Sequence, residues 1–326
     1  MTDISIVIVN WNSTTYLLKC LASIYAQPHD SKYEIIVVDN ASPDGDSGIV
    51  KERYPDVILI ESPANIGFAK ANNLGFRRSS GKYVVFLNPD TVLINPALDL
   101  MHRQVRSLPA VGAAGCKLLN EDMSLQTSAI QTFPTILNQL LDLEVLRNTF
   151  PNCQLWNIAP LFADGVTPSR AEVISGACIM FRREVFEQIG QFSEEYFMYA
   201  EDLDLCRKSV QAGFTNYYIP EGKIIHLGGK SSVRRQAVQM KWGSILKYVA
   251  KHRGYGYQLA FRAAMACSAL ARLVVLIALV AVRRGAHRNA ARGTLMKWWL
   301  IFQTMLFTVE RKPLRENLVI DGSRKR

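Results

Sequence analysis

Three apolar runs, each closing on a polar cluster, constrain this chain more than any other feature. Ile4 to Val9 ends at Asn10-Trp11-Asn12. Glu34 to Val38 ends in Asp39-Asn40-Ala41-Ser42-Pro43-Asp44-Gly45, and Tyr83 to Leu87 runs into Asn88-Pro89-Asp90-Thr91. Short apolar runs rich in β-branched residues and bounded by turn formers read as buried strands of a parallel sheet. Between them lie helical patterns: Tyr16, Leu17, Cys20, Leu21 and Ile24 after the capping residue Ser13, then a helix opening near Asn65 and closing before Gly81. Strands alternating with helices imply βαβ units with right-handed crossovers. The fold class is therefore α/β, with a mostly parallel central sheet. The loops after Val9, Val38 and Leu87 then gather on one sheet edge, so Asn10, Asp39 and Asp90 share a crevice where open sheets bind ligands.

The second half is coarser. A helix to about Leu108 and a strand near Val111 to Leu118 precede a stretch to Asp164 whose prolines suggest loops and short helices over the crevice. Val173 to Phe181 reads as a strand interrupted by Ser175-Gly176-Ala177, small residues that permit close approach of a ligand or another backbone. Glu201, Asp202 and Asp204 stand together at a helix start, with Leu203, Cys206 and Val210 at helical spacing. Simple capping explains such acids, since the helix dipole favours them. Three crowded carboxylates also repel unless a cation, an arginine or a catalytic role compensates, so a general base is the rival reading.

After a strand at Phe214 to Ile219, His226 precedes Gly228-Gly229 in what reads as a flexible loop. It is either structural or the partner of Asp90 in a metal site. Asn88-Pro89-Asp90 alone is equally a turn, because hard cations use few protein carboxylates and a turn needs none. Lys230, Arg234 and Arg235 either meet phosphate or are solvated.

Charge divides the chain. Through Gly229 there are 18 Lys and Arg against 25 Asp and Glu; from Lys230 onward there are 20 against 3. The basic part requires an anionic partner, and its apolar, aromatic context favours a membrane surface over nucleic acid. Gln236 to Lys251 places Val238, Trp242, Ile245, Leu246 and Val249 on one helical face. Beyond Tyr257 the apolar sequence is cut by Arg262 and Arg272. This leaves Leu273 to Val282, a run short of the roughly 20 residues that span a bilayer. A second apolar segment, Leu295 to Val309, carries Lys297-Trp298-Trp299. Helices lying in the headgroup region of the inner leaflet fit, as does a hairpin packed on the catalytic domain or a second subunit. The six scattered cysteines suit reduced thiols in a cytosol, and Met-Thr-Asp-Ile-Ser lacks a secretory n-region.

Taken in order, Ile4 to Asn12, Val37 to Ser42, Asn65 to Asn73, Phe86 to Thr91, Glu201 to Asp204 and His226 resemble the inverting glycosyltransferases of family 2. The resemblance covers about the first 230 residues and implies the GT-A fold. Within the family the chain is most similar to bacterial rhamnosyltransferases that use dTDP-L-rhamnose, where Asn-Pro-Asp-Thr replaces an Asp-x-Asp metal motif. The resemblance implies that Asp39 reads the pyrimidine N3, with Asn10, Gly67 and Lys70 near the nucleotide. It implies Asp90 and His226 as ligands of Mg2+ or Mn2+ on the diphosphate, with Asn88 leaving one anionic ligand fewer. Asp202 would be the base, with Glu201 as its orienter or replacement; Ser175, Gly176 and Ala177 would border the donor sugar, and Lys230 would meet the diphosphate.

The expected partners are a dTDP- or UDP-sugar donor and a lipid-linked acceptor at the cytoplasmic face of the inner membrane, with a homo-oligomer left open. The expected layout is a catalytic domain over 1–232, split near residue 95 into nucleotide-binding and acceptor halves, and a basic helical region over 233–326. Two other classes were weighed. A catalytically inactive nucleotide-sugar-binding scaffold leaves the acidic cluster without a use. A nicotinamide dehydrogenase needs a Gly-x-Gly-x-x-Gly turn after the first strand, and Asn10-Trp11-Asn12-Ser13-Thr14 has no glycine.

Overall fold

The computed structural model describes residues 2–43, 47–142, 146, 149–150, 153, 167–228, 234–282 and 285–307. The sheet begins as anticipated. Strands β1 (Ile4–Asn10), β2 (Tyr33–Asp39), β3 (Ile58–Glu61) and β4 (Tyr83–Leu87) all run parallel, in the spatial order β3-β2-β1-β4. Helices α1 (Thr14–Tyr25), α2 (Gly48–Arg53) and α3 (Phe68–Arg77) make the crossovers. Every residue of β1 is buried, because helices cover both faces of the sheet and an alternating pattern would have no solvent face to serve. The register pairs Asn10 with Asp39, so two of the polar strand ends are neighbours.

The second half adds β5 (Thr91–Leu93), α4 (Ala97–Ser107), β6 (Val111–Leu119), β7 (Ile130–Gln131), α5 (Ile136–Leu140), β8 (Ser169–Ala171), β9 (Val173–Ile174), β10 (Cys178–Arg182), α6 (Arg183–Gln188), α7 (Glu201–Gln211) and β11 (Thr215–His226). From β4 the main sheet continues β10-β6-β11-β5, with β8 beside β11. β5, β8 and β10 run against the other six strands of this sheet. β10 matters most, because it lies antiparallel between β4 and β6 with Cys178 opposite Leu87. That register brings Ser175-Gly176-Ala177 alongside Asn88.

The last strand differs from expectation. It does not stop at Ile219; it continues through Pro220 to His226, with a register shift against β6 between Ile219 and Lys223. A proline removes a ladder donor, and a local irregularity accommodates it. His226 is therefore not in a flexible loop but ends a strand, paired with Thr91 of β5. The antiparallel pairing with β5 holds it there.

The C-terminal region is helical: α8 (Arg234–Arg253), α9 (Tyr255–Val282) and α10 (Gly285–Leu306). The boundary expected at 232/233 falls at residues outside those described. The apolar face anticipated on α8 does face the catalytic fold, with Ile245, Leu246, Tyr248 and Val249 buried in the same core as the sheet. α9 is one unbroken helix, longer than its uninterrupted apolar run. Residues Tyr255–Ala278 are long and apolar enough to cross a membrane. Its two arginines do not interrupt it because both turn toward protein. Arg262 Nε donates to the Met305 carbonyl at 2.8 Å. An Arg272 guanidinium nitrogen donates to the Leu140 carbonyl at 2.9 Å, and the group lies 4.1 Å from the Trp298 ring centre. Phe261, Met265 and Ala269 are fully buried, while Val274, Val275 and Ile277 are about 60% exposed, so α9 has a protein face and an apolar outward face.

One glycine ties the first half to the second. Gly67 precedes α3 with φ +85°, and a Cβ there would stand 2.6 Å from the Phe197 carbonyl oxygen. That oxygen accepts the Phe68 N–H at 2.7 Å, so it cannot move away without losing a bond. Gly67→Ala should therefore destabilise the fold by about 2–3 kcal/mol, combining left-handed strain with displacement of this contact. Urea denaturation checks this: the midpoint should fall with an unchanged slope.

Candidate active site

The crevice has three polar stations, all at strand ends. At the first, Asn10 and Asp39 close β1 and β2. Both are buried, and Asn10 Nδ2 donates to Asp39 Oδ1 at 3.0 Å and to Ser42 Oγ and Thr14 Oγ1, each at 3.2 Å. Ser42 N donates to the other Asp39 oxygen at 3.2 Å. The carboxylate is thus oriented by an amide and a backbone N–H, with lone pairs remaining for an N–H donor. Asn10 Oδ1 is buried without a partner, an acceptor in want of a donor. Asn40 fixes the neighbouring loop: its Oδ1 accepts the Ile66 N–H at 2.9 Å and its Nδ2 donates to Asn65 Oδ1 at 3.0 Å.

The second station joins β4, β5 and β11. Asp90 Oδ1 and His226 Nε2 stand 3.5 Å apart, and Asn88 Nδ2 lies 3.4 Å from the same nitrogen. Gln126 settles the imidazole tautomer. Its Nε2 donates to the His226 carbonyl and to Asn120 Oδ1, both at 3.1 Å, so its Oε1 faces His226 Nδ1 at 2.7 Å and Nδ1 carries the proton. His226 Nε2 then faces the Asp90 carboxylate. Asn88 Oδ1 is also buried without a partner. A carboxylate oxygen, an imidazole nitrogen and an orphaned amide oxygen fit a divalent cation that completes its shell with ligand oxygens. Among the described residues no cluster of three His, Cys, Asp or Glu side chains could hold a metal, so diphosphate oxygens would have to supply part of the shell.

The third station is the first turn of α7. Tyr199 and Ala200 both have positive φ, 68° and 64°, an arrangement costing about 1–3 kcal/mol for each non-glycine residue. This kink presents Glu201 and Asp202 at the helix N-terminus, where the dipole favours negative charge. Asp202 Oδ2 accepts the Gly176 N–H at 3.1 Å, and its Oδ1 accepts the Leu203 N–H at 2.8 Å. Burial raises the Asp202 pKa, while these two donors and the Lys241 charge work against it. Glu201 is more perturbed: burial first, then the charge of Asp202, push it up to about 8, and its Oε2 is buried without a partner. Glu201 therefore keeps its proton near neutrality, and the two backbone donors orient the Asp202 carboxyl group.

The Ser175–Ala177 segment joins the second and third stations. Asn88 N donates to the Ala177 carbonyl at 2.9 Å, and the next amide back, Gly176 N, holds Asp202. Asn10, Asp39, Asn88, Asp90, His226, Glu201, Asp202 and Ser175 to Ala177 are accordingly brought to one sheet edge. Gly67 packs on Phe197, Lys70 is exposed on the first turn of α3, and Lys230 lies outside the described residues. Two positioning residues escaped the sequence reading. Asn40 stood inside a loop rich in turn formers, and Gln126 lies in a stretch with no hydrophobic period to anchor it.

Residues 5–190 match the family described as Glycosyl transferase family 2. The N-acetylglucosaminyl-diphospho-decaprenol L-rhamnosyltransferase of Mycobacterium tuberculosis is 30% identical over 251 residues, covering 73% of this chain and 80% of that protein. Rhamnosyltransferase WbbL of Escherichia coli is 26% identical over 262 residues, covering 76% and 93%. Among solved structures, mannosyltransferase PcManGT from Pyrobaculum calidifontis, in complex with GDP-Man and Mn2+, superposes with a TM-score of 0.58. It is 19% identical and covers 94% of this chain and 88% of that one, a likeness of fold.

The acid pair makes a prediction independent of any activity. Because the folded protein raises the Glu201 pKa, ionising this residue opposes folding, and stability falls as pH climbs from about 4.5 through about 8. Glu201→Gln should be more stable than the parent above pH ~8 by a few kcal/mol, at about 1.4 kcal/mol for each tenfold change in proton affinity, and the gap should close below pH ~4.5. Thermal unfolding across that range measures it.

Proposed function

Because the chain belongs to glycosyl transferase family 2, we propose that it moves L-rhamnose from dTDP-L-rhamnose, with inversion, onto a polyprenyl-diphosphate-linked N-acetylglucosamine. The observation that carries the reading is the Ser175–Ala177 bridge, which sets the Asn88, Asp90 and His226 station beside the oriented carboxyl group of Asp202. The transferred sugar and the lipid-linked acceptor follow the name of the Mycobacterium tuberculosis relative, whereas the dTDP carrier is our own assignment; a product of this kind serves cell-surface polysaccharide assembly. A UDP-sugar, carrying galactofuranose, galactose or glucose, offers Asp39 the same pyrimidine N–H and is the alternative donor.

In this reading Asp39 accepts the pyrimidine N3–H, and Asn10, whose amide is already committed to Asp39, holds that carboxylate in place. Gly67 and Lys70 line the nucleotide side of the crevice. Asp202 accepts the proton of the acceptor hydroxyl as the hydroxyl oxygen forms its bond to the anomeric carbon. The bond from that carbon to the diphosphate oxygen breaks on the opposite face, the electron pair leaves with the nucleoside diphosphate, and the configuration inverts. Gly176 N and Leu203 N keep the Asp202 oxygens aimed throughout, and Glu201 retains its proton. Asp90 and His226, with Asn88, would hold Mg2+ or Mn2+, which neutralises the charge growing on the departing diphosphate. The Mn2+ of the mannosyltransferase complex supports a divalent cation at such a station, and Lys230 is assigned to the same diphosphate.

The same reading places the protein on the cytoplasmic face of the inner membrane as a peripheral enzyme. Supporting it are the 20 Lys and Arg against 3 Asp and Glu from Lys230 onward, and the exposed Leu270, Val274, Val275 and Ile277 on α9 with Trp299 on α10. A lipid-linked acceptor would then meet the crevice without leaving its membrane.

Three experiments test this. Asp202→Asn should lower turnover by roughly 1,000-fold while dTDP affinity changes less than about threefold, because the base acts on the acceptor side. Assaying dTDP- and UDP-sugars with the lipid-linked acceptor identifies the donor; consumption of none would favour a binding scaffold. Full-length Val274→Glu/Ile277→Glu should bind anionic vesicles at least roughly 100-fold more weakly than the parent, since each buried aliphatic side chain contributes about 1.5–3 kcal/mol. Equal cosedimentation would remove α9 from the membrane contact.

A further inference from the structure

The carboxylate least used by the chemistry is the most completely enclosed. Asp204 lies on the first turn of α7 with no exposure, two residues beyond Asp202. Burial opposes its ionisation, yet hydrogen bonds from His252, Ser193 and Lys251 outweigh burial and hold its pKa down to about 2. His252 Nε2 meets Oδ1 at 2.7 Å, Lys251 Nζ meets the same oxygen at 2.9 Å, and Ser193 Oγ donates to Oδ2 at 2.6 Å. Tyr196 OH approaches Oδ1 at 3.5 Å, and Lys208 Nζ stands 3.9 Å from Oδ2. Two of these partners, Lys251 and His252, belong to α8 rather than to the GT-A sheet.

α8 also grips the segment that leads into α7. Ser244 Oγ donates to the Met198 carbonyl at 2.9 Å, Lys247 Nζ to the Glu195 carbonyl at 3.4 Å, and Lys251 Nζ to Ser193 Oγ at 3.0 Å and Glu195 Oε1 at 2.9 Å. From the other side, α3 holds the same segment. Asn73 exchanges hydrogen bonds with Phe192, at 2.9 and 3.1 Å, and Phe68 N donates to the Phe197 carbonyl at 2.7 Å. Between these two grips stand Tyr199 and Ala200 with their left-handed backbone. Unfavourable backbone of that kind persists only where its surroundings over-determine it.

On the transferase reading above, we infer that Asp204, Lys251 and His252 form a positioning clamp through which α8 holds the strained turn that aims Asp202 at the acceptor. The clamp touches no reacting atom. It couples the base to the helix that continues directly into α9, so the basic C-terminal region is part of the catalytic geometry rather than only an anchor. Donor binding, seated on β1, β2 and β4, does not depend on it.

The test uses the full-length protein with His252→Ala, Asp204→Asn and the conservative His252→Gln, whose amide can replace the imidazole donor. His252→Ala should reduce kcat roughly 10- to 100-fold with donor KM within about twofold, because a misplaced base costs turnover and not nucleotide affinity. Amide hydrogen exchange at 199–204 should accelerate roughly tenfold or more while β1 and β2 amides keep their protection. His252→Gln should recover most of both. Faster exchange with unchanged kcat would reduce the cluster to a structural tie and overturn the clamp, as would equal losses in kcat and donor affinity. An inactive parent protein would sink the transferase reading and the catalytic role of the clamp with it. An active parent with indifferent variants would sink the clamp alone.

Discussion

The hydrogen bond from Asn88 N to the Ala177 carbonyl, 2.9 Å long, is the contact on which the crevice depends. It closes the antiparallel pairing of β10 with β4, a strand reversed between parallel neighbours. Without that reversal, Ser175-Gly176-Ala177 would lie at the opposite edge of the sheet, and the acidic turn of α7 would have no backbone donor to receive it. Parallel strands collect polar groups at their carboxyl ends. A single antiparallel strand delivers a loop from its amino end to the same place, and this chain uses both. The two tasks of the proposed reaction, holding a diphosphate and removing a proton, would therefore be separated by one short segment of backbone.

Each station carries a polar atom that folding alone leaves unsatisfied: Asn10 Oδ1, Asn88 Oδ1 and Glu201 Oε2. A buried orphan costs about 1–3 kcal/mol, so each of these three atoms is an acceptor that a bound ligand could satisfy. The crowded Glu201 and Asp202 belong to the same pattern. Stability is spent where charge will be compensated only when substrates arrive. The sheet core can bear this, since β1, most of β2 and most of β4 are fully buried.

Much of this was legible in the residues because parallel strands buried on both faces write themselves as continuous apolar runs. Ile4 to Val9 and Tyr83 to Leu87 needed no partner to be recognised, and their polar ends named Asn10 and Asp90. Antiparallel contacts wrote no such signal. His226 was placed in a loop because Pro220 and Gly222 break any periodic reading, whereas pairing with β5 carries β11 through them. Gln126 was missed for a related reason. Its role arises from a tautomer, which depends on atoms contributed by residues 120, 126 and 226 and has no trace in local pattern. Arg262 and Arg272 misled in the opposite direction: as isolated charges they interrupt an apolar segment, but the carbonyls of Met305 and Leu140 satisfy them and the helix runs on.

Those two arginines also bear on why the C-terminal helices are not a detachable anchor. Their heads are bound to α10 and to the end of α5, while Ile245, Leu246, Tyr248 and Val249 of α8 share the core of the sheet. Pulling the hairpin away would break the hydrogen bonds of two half-buried guanidinium groups and open that core together. An outward apolar face on a body so rigidly joined to α7 transmits force instead of absorbing it. A surface gripping Val274 and Ile277 would fix the orientation of the whole crevice, with Asp202 held through Asp204 at a set height above it.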